Sequence, residues 1–264
     1  MGTLLFIFDE YMKTLLVQSD IVWGDPEANM EKNDAVLERH QGVDLVIFPE
    51  MFSTGFVTEP EGVAEDEPSR TLEWMKKRAA KYGFAIAGSV SIKKDNTFLN
   101  RFYFVKPDGD VTIYDKHHLF TFGAEHDFYT PGEERKIVEW KGVRFLLAVC
   151  YDLRFPVWLR NRQDYDVIIC VANWPSPRRM NWDVLLRARA IENQCYALGV
   201  NRVGTDPTCE YNGGTAAIHF FGDVMSSCAD STECECEAEL DMTLLKAHWD
   251  IFPALKDADK FEIK

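Results

Sequence analysis

The chain of 264 residues is 46% hydrophobic and 27% charged, with 29 Lys and Arg against 43 Asp and Glu for a formal net charge of −14. This is a globular composition, long enough to bury roughly 70–75% of its unfolded surface without help from disulfides. The acidic balance argues against nucleic acid as a partner, and charges break every apolar run before it reaches membrane-spanning length, so no membrane association is expected either.

Residues 1–11 begin with a short apolar run that ends at Asp9 and Glu10, without a basic segment or a small-residue cleavage site, and are not read as a signal peptide. Met12 stands directly before the first strand-like run. Residues 1–11 are therefore read as an extension or mis-assigned start, and 12–264 as one domain without linkers or repeats. Strands are predicted over residues 14–18, 44–48, 84–90, 101–105, 111–114, 143–149, 166–172 and 197–202. Helices are predicted over 26–40, 69–82, 156–161 and 180–194.

Local signals sharpen several of these elements. Ser69 suits a helix N-cap, with Leu72, Met75 and Ala79 recurring on one face behind it. Asp108-Gly109 marks a hairpin turn, since glycine tolerates positive φ. Arg189 and Glu192 stand three apart and can pair across one helical turn. Between Glu233 and Leu240 glutamates alternate with Cys, Ala and Leu, the period of a strand with one wet face. The seven cysteines lack a CxxC pair, so reduced thiols in the cytoplasm are expected, with Cys234 and Cys236 as core thiols rather than metal ligands. The pattern predicts a mixed sheet or two stacked sheets with helices outside.

Three strand-like runs end in a reactive side chain: Glu50, Lys116 and Cys150. Ligands collect where strands hand over to loops, so these three can meet in one cleft. Cys150 follows a buried strand and precedes Pro156, which suits a first helical turn, so a thiol is placed near backbone N–H groups able to receive an oxyanion. A neighbouring lysine would favour its thiolate. Glu50 sits at the lip of an apolar segment, an environment suited to a general base. Taken singly, each has a plain alternative: a core thiol, a loop carboxylate and a surface lysine.

Together these residues carry a family resemblance. Phe48-Pro49-Glu50-Met51-Phe52, the run from Tyr114 to Phe120 and the run from Val149 to Pro156 resemble the three motifs of the nitrilase superfamily of carbon-nitrogen hydrolases, in that family's order and spacing. The runs from Val171 to Pro175 and from Arg187 to Gln194 extend the resemblance over most of the chain. It implies an α/β fold, a four-layer αββα sandwich of two stacked sheets flanked by helices, commonly assembled as a homodimer. It further implies a Glu50, Lys116 and Cys150 triad with Glu125 as a second glutamate, an oxyanion held by Lys116 and the Tyr151 N–H, a thioester intermediate, and no metal or cofactor.

Cys150-Tyr151-Asp152-Leu153-Arg154, with Asn173-Trp174-Pro175 and Gly123-Ala124-Glu125-His126, is most similar to the ω-amidase branch, which hydrolyses the terminal amide of 2-oxo acid amides. Such a substrate carries a carboxylate, for which Arg154, Arg178, Arg179 and Arg202 are candidates, although each also has ordinary pairing roles. Asn173, Trp174, Phe52 and Phe122 are candidate pocket residues. An N-carbamoyl amino acid hydrolase or a short-chain amidase would keep the same triad. A metal hydrolase built on His117, His118, Glu125 and His126 lacks HExxH spacing, and a catalytically silent binding protein would not need the triad intact.

Overall fold

The computed structural model describes residues 11–263; residues 1–10 and Lys264 lie outside it, and with them most of the expected extension. In chain order the first half gives β1 (Tyr11–Gln18), α1 (Pro26–Arg39), β2 (Leu45–Ile47), β3 (Glu65–Asp66), α2 (Arg70–Tyr82), β4 (Ala85–Lys94), β5 (Thr97–Val105) and β6 (Val111–Asp115). The second half gives β7 (Ile137–Trp140), β8 (Val143–Val149), α3 (Pro156–Leu159), β9 (Val167–Val171), α4 (Arg179–Asn193) and β10 (Tyr196–Val200). It closes with β11 (Val203–Thr205), β12 (Glu210–Asn212), β13 (Ala216–Ile218), β14 (Val224–Ser227), β15 (Cys234–Asp241) and α5 (Met242–Ile251).

The strands form two mixed sheets. One runs β15-β1-β2-β4-β5-β6 with β3 beside β4, the other β14-β13-β10-β9-β8-β7. Alternation along each strand sends side chains to opposite faces, and both faces here are covered. Leu45 and Ile47 of β2, with Phe102 and Phe104 of β5, point between the sheets and join one core with Phe145, Leu147 and Ile169 of the second sheet. Their neighbours Val46, Ile86 and Tyr103 point the other way, onto Leu37 of α1 and Leu72, Met75 and Ala79 of α2. On the far side Trp182, Leu186 and Ala190 of α4 pack on the second sheet. The layers are thus helix, sheet, sheet, helix, the αββα sandwich that the family resemblance implies.

Local chemistry sets the boundaries of these elements. Ser69 Oγ accepts the Leu72 N–H at 2.9 Å and caps α2, whose other end stops at Gly83 with φ of 79°. The β5–β6 hairpin turns at Asp108-Gly109, with Gly109 at φ of 89°. In β15 Glu235, Glu237 and Glu239 face outward to Arg39, His40 and Lys13, while Ala238 and Leu240 are buried. Arg189 and Glu192 pair at 2.9 Å. Tyr11, expected in the extension, is instead the first residue of β1, opposite Asp241. Among the described residues no helix is long and apolar enough to cross a membrane.

Candidate active site

Each reactive residue stands just beyond the end of a strand, buried in β2 and β8 and half-buried in β6. The chain leaves β2 through Phe48 and Pro49 to Glu50, and Met51 then reverses direction in the left-handed region at φ of 44°. Ser89 Oγ accepts the Met51 N–H at 2.9 Å and fixes that turn. Lys116 ends the β5–β6 hairpin, its N–H donating to the Asn100 carbonyl at 2.9 Å. Cys150 follows β8 and is itself left-handed at φ of 46°, a strained setting that turns the chain directly into a one-turn 3-10 helix and then α3.

One buried carboxylate joins the Lys116 and Cys150 segments. Asp152 accepts the Val149 N–H at 2.9 Å, the Tyr114 hydroxyl at 2.7 Å and the His118 N–H at 3.0 Å. Four partners on a buried carboxylate make a rigid hub, the fourth being the His118 ring at 2.8 Å.

The charged groups converge. Lys116 Nζ donates to Glu50 Oε1 at 3.0 Å and to both Glu125 oxygens at 3.0 and 2.9 Å, with all three residues at most 1% exposed. Asn100 Nδ2 donates to the same Glu50 oxygen at 2.8 Å, and the Asn173 N–H reaches Glu50 Oε2 at 2.7 Å. Glu125 Oε2 also accepts the Phe120 N–H at 2.6 Å. Burial alone would push the Lys116 ammonium down, but Glu125, Glu50 and Cys150 outweigh it and hold the amine charged, well above its ordinary value. Burial raises the Glu125 carboxyl against the pull of Lys116.

Cys150 departs from expectation. Burial pushes its thiol well above the ordinary range, Glu50 adds to that, and Lys116 only partly opposes it. Burial, reinforced by Glu50, outweighs the pull of Lys116, so Cys150 rests as a thiol rather than the thiolate that a neighbouring ammonium alone would favour.

A cavity of about 250 Å³ opens over this cluster. Glu50, Lys116, Cys150, Tyr151, Arg154, Asn173, Trp174 and Phe122 all line it, as does Arg178. Glu125 lies behind Lys116. Phe52 does not reach the cavity: the reversal at Met51 sends it into the core, stacked on Phe48 at 5.0 Å and tilted against Trp74 at 6.2 Å. Arg179 is engaged by Asp183 and Asp230, each at 2.8 Å. Arg202 is buried away from the opening, donating to the carbonyls of Val203 and Ile21. The histidines diverge as well: His117 stacks on Trp158 at 3.7 Å, His118 on Phe155 at 3.7 Å, and His126 is half exposed beside Asp127.

The pattern of strand ends did not reveal Asn100, which braces Glu50, or the β11–β12 hairpin that forms one wall. Asp206 Oδ1 accepts the Thr208 and Cys209 N–H groups at 2.7 Å, and Asp206 Oδ2 takes the Tyr211 hydroxyl at 2.6 Å, so Thr208, Cys209 and Tyr211 are held at the cavity. The Asp206-Pro207 turn was the one local signal for that wall.

Comparison with known proteins identifies the family. The carbon-nitrogen hydrolase family matches residues 14–248. The omega-amidase YafV of Escherichia coli (strain K12) is 44% identical over 255 residues, 96% of this chain and 98% of that protein. The 2-oxoglutaramate amidase of Bacillus subtilis (strain 168) is 34% identical over 232 residues, 86% of this chain and 89% of that protein. XC1258 from Xanthomonas campestris, a CN-hydrolase superfamily protein whose crystal structure carries an arsenic adduct in the active site, superposes with a TM-score of 0.94 at 42% identity, covering 96% of this chain and 99% of that one. With two stacked sheets bringing a glutamate, a lysine and a cysteine into one pocket, and with these relatives matched along nearly their whole lengths, the chain belongs to the carbon-nitrogen hydrolase family.

Proposed function

We propose that the protein is an ω-amidase that hydrolyses the terminal carboxamide of a small 2-oxo acid amide, 2-oxoglutaramate or 2-oxosuccinamate, to the acid and ammonia. The observation that carries the reading is the convergence of Glu50, Lys116 and Cys150 on one pocket whose lining includes two arginines, Arg154 and Arg178. The omega-amidase and 2-oxoglutaramate amidase relatives support the substrate class.

In this mechanism Glu50 takes the Cys150 proton as sulfur attacks the amide carbon, which suits a thiol that rests protonated. The oxyanion is held by the Lys116 ammonium and the Tyr151 N–H. Glu50 returns the proton to the departing ammonia, leaving a thioester, then draws a proton from the water that attacks it and passes that proton to the Cys150 sulfur as the C–S bond breaks and the acid is released. Glu125 keeps Lys116 charged and aimed. Arg154, its guanidinium 4.8 Å from the Trp174 ring, holds the substrate carboxylate at the far end. No metal or cofactor takes part. The enzyme works in the cytoplasm as a homodimer.

Steady-state kinetics on 2-oxoglutaramate, N-carbamoyl amino acids and simple nitriles tests the assignment. A preference for 2-oxoglutaramate is expected, and a preference for a carbamoyl compound would overturn it. Cys150→Ala should abolish turnover, by at least about 10⁴-fold for loss of a covalent nucleophile, with the thermal melt preserved. Trapping with hydroxylamine should yield the hydroxamate of the acyl group from the wild type alone.

A further inference from the structure

The outer part of the pocket is cationic and carries no free acid. Among the described residues the one hydrogen-bond partner of the Arg154 guanidinium is Asn181 Oδ1, at 3.4 Å. Arg178 rests its guanidinium against two rings, 5.3 Å from Phe120 and 6.0 Å from Phe122. Among the described residues neither arginine forms an ion pair, in contrast to Arg179, the next residue, which holds two aspartates. The one carboxylate in the cavity lining is Glu50, already occupied by Asn100, Lys116 and the Asn173 N–H.

Arg178 is also firmly placed. Its carbonyl accepts the Trp174 indole N–H at 2.8 Å, which fixes its backbone beside Arg154's own aromatic partner. The Phe120 N–H is bonded to Glu125, so the aromatic rest for Arg178 is tied to the carboxylate that holds Lys116. Phe122 is 84% exposed, an unusual position for a phenylalanine, and its ring lies against this guanidinium. A planar guanidinium on aromatic faces keeps its N–H edge directed outward for oxygen acceptors.

We propose that Arg178, resting on Phe120 and Phe122, selects amides whose far end is a 2-oxo acid and turns away those whose far end bears an α-ammonium group, such as glutamine. The inference rests on the amidase reading above. Arg154 takes the carboxylate and Arg178 donates to the 2-oxo oxygen. An ammonium on the same carbon would face a guanidinium with no acid to receive it, and juxtaposed like charges are strongly disfavoured.

The test compares three amides of equal length, 2-oxoglutaramate, glutaramate and glutamine, on the wild type, Arg178→Gln and Arg178→Glu. The wild type should rank them in that order. Arg178→Gln should raise KM for 2-oxoglutaramate roughly 10- to 100-fold, the value of one hydrogen bond from a charged donor, with kcat falling much less and glutaramate affected less. Arg178→Glu should narrow the preference for 2-oxoglutaramate over glutamine by at least about 100-fold, since attraction and repulsion both change sign. Phe122→Ala removes an exposed ring without opening the core and should raise KM for 2-oxoglutaramate in the same direction. Unchanged ratios in all three variants, with the wild type active on 2-oxoglutaramate, would overturn the role of Arg178 and leave the amidase standing. A wild type inert toward all three amides would overturn both.

Discussion

The Cys150 sulfur is subject to opposing influences: burial and Glu50 disfavour its ionisation, and Lys116 only partly offsets them. With the thiol raised above its ordinary value, neutral pH leaves little thiolate, and the fraction grows only as pH climbs past the usual thiol range of about 8.5. Alkylation of the free enzyme by N-ethylmaleimide, followed on the tryptic peptide from Phe145 to Arg154, should therefore accelerate steadily into alkaline solution. A rate that levels off at or below neutrality would contradict the protonated resting state. This balance could not be read from the motif around Cys150, because it depends on how deeply the folded chain buries the sulfur and on Glu50 being brought beside it. That Glu50, Lys116 and Cys150 each follow a strand-like run was legible in the sequence, and their meeting in one cavity is what the fold adds. The course of Phe52 was not legible: two residues after Glu50 it looks like a pocket aromatic, yet the positive φ at Met51 turns it inward.

At the level of elements, β4 shows how closely the site depends on its support. A Cβ on Gly88 would lie 2.8 Å from the Phe52 ring and 3.2 Å from Phe48 Cβ, so this strand position leaves no room for a side chain against the segment that carries Glu50. Gly88→Ala should cost about 1–3 kcal/mol in stability through overpacking, read as a lower midpoint in urea, and should lower kcat because Phe52 must shift the Glu50 turn. A midpoint and kcat equal to the wild type would show that the ring yields freely. Long buried strands such as β8 and the capped helix α2 were evident from pattern, because burial on both faces or on one stripe leaves a strong periodic trace. β14, Val-Met-Ser-Ser, lacks such a trace, and β11, β12 and β13 span only three residues each. α5 was missed too: it begins directly at the end of β15, capped by Asp241 accepting the Leu244 N–H, and no loop separates the two elements in sequence.

Across the whole molecule, α4 carries an apolar stripe on its outward side, with Met180, Val184 and Ile191 all more than half exposed, and Val157 of α3 is exposed as well. Side chains at this spacing share one helix face, and an apolar face of this kind suits burial against a second copy. Sedimentation equilibrium should give twice the mass of the chain, and Val184→Glu combined with Ile191→Glu should return it to a single chain. A wild type that sediments as one chain would refute the dimer. The groups lining the proposed site also come from both halves of the sandwich: Glu50 and Lys116 follow strands of the first sheet, Cys150 and Asn173 follow strands of the second. Neither sheet folded by itself holds a complete set. Amide cleavage is therefore a property of the closed seam between them, and any partly folded species in which one half has formed and the other has not would have no means of attacking a substrate.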